Sequence, residues 1–169
     1  MQTDLAPMKE IQTTQFHYLD PNPTGEPVLL LLHGLGADST SWGYQIPALM
    51  GAKMRPISVD LPGFGKSIYY GRNWKIRIIA GETADLVRSI TSSTCTVVGI
   101  SMGGTIALQL CLDYPELVER LVLVSTFANL RSEGVHQWVY LISRFIRANL
   151  RGVNAQAEMV AHVGEDRAR

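Results

Sequence analysis

Three short aliphatic runs constrain this chain more than any other feature: Val28–Leu32, Cys95–Ile100 and 121–124. Each is far too short to cross a bilayer, which takes about 20 residues. Each is bounded by turn residues, which reads as a strand buried on both faces. Pro21-Asn22-Pro23-Thr24-Gly25 is a dense turn signal before the first run, and His33-Gly34-Leu35-Gly36 is a glycine loop after it. Arg55–Val59 reads as a further strand, running into a second loop rich in proline and glycine at 60–67. Between the strands lie helical patterns. Trp42, Ile46 and Leu49 share a face within 39–50, although Pro47 argues against one unbroken helix there. Ile79, Thr83, Leu86, Val87 and Ile90 fall at helical spacing. In 102–114, residues Ile106, Ala107, Leu110, Cys111 and Tyr114 form the buried side, and Pro115 helps to stop the helix. Strands alternating with helices imply right-handed crossovers and an α/β fold with a mostly parallel sheet flanked by helices. Residues 11–19 add one or two edge strands.

The chain has 169 residues, enough for one real core, and 46% of them are hydrophobic, which excludes a disordered protein. Fifteen Lys and Arg balance fifteen Asp and Glu, so charge gives no reason to bind nucleic acid or an anionic membrane. The first residues carry Asp4, Lys9 and Glu10 and no apolar stretch, which argues against a secretory signal. Cys95 and Cys111 form neither a disulfide framework nor a metal cluster; as reduced, buried thiols they fit a cytoplasmic location.

The sharpest chemical signal is Gly99-Ile100-Ser101-Met102-Gly103, the pattern G-x-S-x-G, placed where a strand ends and a helix begins. Ser101 is then expected on a tight, strained strand-to-helix turn that lifts its hydroxyl above the sheet, with a helix N-terminus behind it favouring negative charge. Side chains at Gly99 or Gly103 would strike neighbouring backbone, and Gly104 extends the small patch that lets helix and sheet approach. Two other readings stand beside this one: a tight turn with an incidental serine, and a phosphate-binding loop. The dinucleotide pattern G-x-G-x-x-G is absent. An acyl-transfer oxyanion needs two converging N–H donors. The Met102 amide is one candidate and the Leu35 amide the other, with Gly34 and Gly36 freeing the backbone around Leu35. His33 is read as a structural side chain bonding within its loop rather than as a general base.

These pieces resemble the α/β-hydrolase fold family of the serine-nucleophile, cofactor-independent kind. The matching stretches are 32–36, 60–67, 99–104 and 114–124, in the family's order and spacing, dense from 28 to 128. The resemblance implies ester, lactone or related acyl hydrolysis on a small hydrophobic substrate, with no metal and no organic cofactor. Members with an aspartate nucleophile, such as epoxide hydrolases, fit less well because position 101 is serine. Asp60 is implied to be structural, shaping the loop through Ser67.

The family's triad runs Ser, then Asp or Glu, then His. No carboxylate follows Val124 in Ser125-Thr126-Phe127-Ala128-Asn129, and the triad acid and base are not identified. Glu133, His136 and His162 are the local candidates. Residues 1–130 are expected to form the N-terminal part of the hydrolase core, incomplete on its C-terminal side without its last strands, and 131–169 the start of a cap with a polar tail. A pseudo-hydrolase or binding module that keeps the pocket without a base is the alternative. An amphipathic helix over 135–150 carries Trp138, Phe145 and several arginines; a cap helix is preferred there to a membrane-surface helix. An exposed edge at strand 121–124 is expected to invite self-association.

Overall fold

The computed structural model describes residues 14–71 and 73–127. The chain divides into two compact units, Met1–Ala128 and Asn129–Arg169. The expected cap helix and tail, with Glu133, His136 and His162, lie outside the described residues.

The strands are β1 (Thr14–Gln15), β2 (Tyr18–Leu19), β3 (Val28–Leu32), β4 (Arg55–Val59), β5 (Ile68–Tyr69), β6 (Cys95–Ile100) and β7 (Val118–Val124). The helices are α1 (Ile46–Gly51), α2 (Ile76–Ile90) and α3 (Met102–Asp113), with 3-10 turns at Ser39–Trp42 and Pro115–Leu117. Five strands form the main sheet in the order β2-β4-β3-β6-β7. All pair in parallel except β2, which runs antiparallel to β4. β1 and β5 form a separate antiparallel pair.

The five aliphatic residues of β3 are all buried, as a central strand covered on both faces requires. Period-two alternation splits them. Val28, Leu30 and Leu32 join Ile57, Val59 and Val97 in the larger core, with Ile79, Ala80, Val87, Ile106 and Leu110 from α2 and α3. Leu29 and Leu31 face the other way onto Trp42, with Ile46 and Leu49 beside it. The pattern at 39–50 therefore resolves into a 3-10 turn and a short helix on one apolar face. Pro47 sits in the first turn of α1, where its missing N–H leaves no intrahelical bond unmade.

Along α2, Ile79, Ala80, Thr83, Ala84, Leu86 and Val87 make a single buried stripe. The Thr83 hydroxyl donates to the Ile79 carbonyl (2.7 Å), so its polarity is satisfied inside the core. The expected buried faces need two corrections. Cys111 and Tyr114 are half-buried rather than enclosed. Strand 121–124 begins earlier, at Val118, and is the last strand of the sheet among the described residues, leaving Val122, Leu123 and Val124 exposed. Its apolar sequence suits two covered faces, but among the described residues only β6 pairs with it.

The topology sets where a site can form. From β3 the chain moves to β4 on one side, then returns past β3 to β6 on the other. The carboxyl ends of β3 and β6 therefore lie at a switch point, where loops diverge and leave a crevice. Leu32 and Gly99 are register partners there, so His33-Gly34 and Ile100-Ser101 leave the sheet side by side.

Candidate active site

Ser101 adopts φ 52° and ψ −117° between β6 and α3. That left-handed backbone is strained for a residue with a Cβ and occurs where the surroundings enforce it. The enforcement is visible. The Ser101 amide donates to the Val124 carbonyl (3.0 Å), and its carbonyl accepts from the Gly104 and Thr105 amides (3.1 and 3.2 Å). Close backbone packing completes the bend. A Cβ on Gly99 would lie 2.5 Å from the Gly103 carbonyl oxygen, and a Cβ on Gly103 would collide with the Leu32 and His33 carbonyls. The expected requirement for glycine at both positions is met by contact with main chain, which cannot yield. A Cβ on Gly104 would instead meet the Thr126 side chain.

The 33–36 loop lies against this bend. A Cβ built on Gly34 would stand 3.5 Å from the Ser101 Cβ, in ordinary van der Waals contact. His33 is wholly buried and explains how the loop is held. Its Nε2 accepts the Leu61 amide (2.9 Å), so Nδ1 carries the proton and donates to the Gly34 carbonyl (2.7 Å). Burial lowers the His33 pKa, against the raising effects of the Gly34 carbonyl and the Asp60 and Asp38 charges, which suits the neutral ring this bonding requires. Phe64 packs edge-on against the ring at 5.6 Å between centroids.

The Gly34 carbonyl also accepts from the Ala37 amide (3.2 Å). Two donors thus fix the plane of the peptide joining Gly34 to Leu35. In a trans peptide the N–H points opposite to the carbonyl, so the Leu35 amide is turned away from both donors. Gly36 follows with φ 74°, and the Leu35 side chain is exposed. Met102 begins α3, where first-turn amides lack an intrahelical acceptor and the helix dipole favours an anion.

Asp60, at the end of β4, is only 2% exposed. Its carboxylate accepts from the Ser39 amide (2.6 Å), the Lys66 amide (2.8 Å) and the His17 Nδ1 (2.8 Å). Its backbone carbonyl accepts the Ser67 hydroxyl (2.7 Å). Gly65, at φ 55°, leaves room for the carboxylate, which a Cβ there would overlap. Burial raises the Asp60 pKa, but the Lys66 and Ser39 amides and the Ser39 and His17 side chains outweigh it, leaving it below the ordinary value. Asp60 thus gathers three segments around itself. His17 is the partner that sequence reading missed. It lies 43 residues away, and only a His beside the one strand-end carboxylate would have hinted at it.

Both described histidines are therefore engaged away from Ser101: His17 with Asp60, and His33 with its loop and Leu61. Among the described residues no group of three or more His, Cys, Asp or Glu could hold a metal ion. None of the described helices is long and apolar enough to cross a membrane.

A strained serine at a strand-to-helix bend, on a parallel sheet, beside a glycine loop from the neighbouring strand, agrees with the sequence profile. The alpha/beta hydrolase fold profile matches residues 27–161. The chain belongs to the α/β-hydrolase fold family. This α/β-hydrolase chain is 34% identical over 165 residues to the magnesium-chelatase 30 kDa subunit of Rhodobacter capsulatus, an alignment covering 97% of the chain and 56% of that protein. It is 31% identical over 113 residues to human epoxide hydrolase 4, covering 66% of the chain and 31% of the relative. Among solved structures it superposes on a thermophilic esterase from Thermogutta terrifontis with a TM-score of 0.68 and 25% identity, covering 79% of this chain and 48% of that one. The chain thus spans between about a third and just over half of these proteins' lengths.

Proposed function

We propose that this chain carries the nucleophile and oxyanion side of a serine hydrolase acting on a small hydrophobic ester, lactone or related acyl substrate. The observation that carries the reading is the Ser101 backbone, φ 52° and ψ −117°, with Gly34 near enough that a Cβ there would touch the Ser101 Cβ. A strained bend held by main-chain contacts presents its side chain in one direction, and such strain clusters at functional sites. In the proposed reaction the Ser101 hydroxyl attacks the acyl carbon. A general base takes the hydroxyl proton and returns it to the departing alcohol, the Leu35 and Met102 amides receive the oxyanion, and water, deprotonated by the same base, later releases the acid. The general base and its carboxylate partner are not among the described residues. Serine rather than a carboxylate at position 101 favours acyl transfer over epoxide opening, despite the relatives named as epoxide hydrolases. The reading invokes no cofactor.

A fluorophosphonate probe with mass mapping of the adduct tests it. One-to-one labelling at Ser101, abolished by Ser101→Ala, is expected. A folded chain that takes up no label refutes it.

A second reading is favoured by the alignment over 97% of the chain with a protein named as a magnesium-chelatase subunit. In that reading this chain's site holds a ligand or partner without turning it over. Absence of labelling together with retained cooperative unfolding supports that reading instead.

A further inference from the structure

The end of β7 grips Ser101 from both sides. The Ser101 amide donates to the Val124 carbonyl (3.0 Å), and the Ser101 carbonyl accepts the Thr126 hydroxyl at 2.6 Å. Between these two anchors the chain itself bends sharply, with Ser125 at φ 44°. Thr126 is fixed in turn. Its side chain fills the space that a Cβ on Gly104 would take, and the Thr105 hydroxyl, one turn into α3, donates to the Phe127 carbonyl (3.2 Å). Two strained turns, one after β6 and one after β7, are thus locked to each other. Gly104 and Thr105 close the contact from the helix side.

We infer that Thr126 is a positioning residue for Ser101, its hydroxyl holding the carbonyl of the strained bend while Val124 holds the amide. The inference rests on the proposed role of Ser101 for its catalytic meaning, but not for its structural content. The Ser101 carbonyl already accepts the Gly104 and Thr105 amides, which belong to the first turn of α3 and would form in any helix there. The Thr126 hydroxyl is the acceptor's one side-chain donor. It comes from the turn after β7, so together with the Val124 carbonyl it ties both sides of the Ser101 backbone to the sheet edge. Neither peptide bond of Ser101 can rotate to relieve its φ without breaking one of these anchors. Thr126 touches no reacting atom in this scheme and acts only through the backbone of Ser101.

Two substitutions in the full chain separate this role from mere packing. Thr126→Val keeps the shape and removes the hydroxyl; Thr126→Ser keeps the hydroxyl and removes the methyl. Native-state hydrogen exchange of the Ser101 amide is the first readout. Loss of one net hydrogen bond is expected to speed it about tenfold in the Val variant and leave the Ser variant near the parent. Exchange in α2 serves as the internal reference and should not change. The fluorophosphonate labelling rate is the second readout, again expected about tenfold slower for Val and restored by Ser. If Val exchanges like the parent, the clamp is overturned; should Ser then be the faster variant, methyl packing against Gly104 is the correct account. If the Val variant fails to fold, Thr126→Ala against Thr126→Ser makes the same comparison. If the parent takes no label, the hydrolase proposal fails while exchange still decides the clamp.

Discussion

Asp60→Asn is the substitution whose consequence the geometry defines best. The ionised carboxylate accepts three N–H donors: Ser39 on Oδ1, and Lys66 and His17 on Oδ2. An asparagine amide offers one acceptor oxygen and one NH₂ group. Its better orientation points the oxygen at Lys66 and His17 and sets the NH₂ against the buried Ser39 amide. One donor then loses its acceptor, at roughly 1–3 kcal/mol, and two charge-assisted bonds become neutral ones of about half the strength. The sum is about 3 kcal/mol, a large share of a small domain's stability. Urea unfolding of parent and variant measures it directly. pH provides an independent check. The folded pKa of Asp60 is lowered from 3.8, so its contribution is complete above 3.8 and disappears as pH falls through the lower folded value. The parent should therefore lose stability in that acid window, and the variant should lose less. Phosphonate labelling per folded molecule should fall by less than tenfold, whereas loss of a triad acid's function costs about 10⁴ in rate. A variant within about 0.5 kcal/mol of the parent would refute the organising role, since that is the range of inconsequential surface changes. A labelling loss near 10⁴ with stability intact would make Asp60 catalytic instead.

Gly103→Ala sets a methyl 2.6 Å from the Leu32 carbonyl carbon, so α3 must move off β3; a loss of about 1–3 kcal/mol is expected, and an unchanged denaturation midpoint would count against the contact. Burial pushes the Cys95 thiol up to about 11, while Cys111 is partly accessible; iodoacetamide at pH 8 followed by peptide mass analysis should modify Cys111 first and Cys95 only as the chain unfolds. Equal rates in folded protein would contradict this. With Val122, Leu123 and Val124 exposed on the last described strand, the chain is expected to self-associate with concentration in sedimentation velocity, and Val122→Lys to weaken it. A monomer at every concentration would rule that surface out.

What could be read in the sequence was whatever short-range chemistry decides. Val28–Leu32 and Cys95–Ile100 announce themselves because aliphatic runs between turn residues have few other uses. The bend at Ser101 is legible because Gly99 and Gly103 each meet main chain, which forces the residue type. For β7 composition and exposure point different ways: its aliphatic run reads as a covered strand, whereas the exposed edge expected at 121–124 follows from which strands lie alongside and not from the strand's own composition. β5, only two residues long, carries too little pattern to be placed. The partners of Asp60 and Ser101 were hidden for a different reason. His17 lies 43 residues from Asp60 and Thr126 lies 25 from Ser101, and hydrogen bonds of that span leave no periodic trace.

This contrast separates the two halves of the proposed chemistry. An oxyanion site of this design uses backbone N–H groups, and their directions follow from local geometry: the peptide after Gly34, fixed by His33 and Ala37, and the first turn of α3. Glycine spacing is enough to encode both. A general base, by contrast, is a side chain that reaches the nucleophile only through tertiary placement, and its distance along the chain is arbitrary. The two halves also differ in what they depend on. In the proposed site the directions of the two amides depend on β3 and β6 remaining register partners at Leu32 and Gly99 and on the bend at Ser101. The proposed anion-binding half thus rests on the geometry of the sheet's switch point, held by the same buried contacts that stabilise the fold.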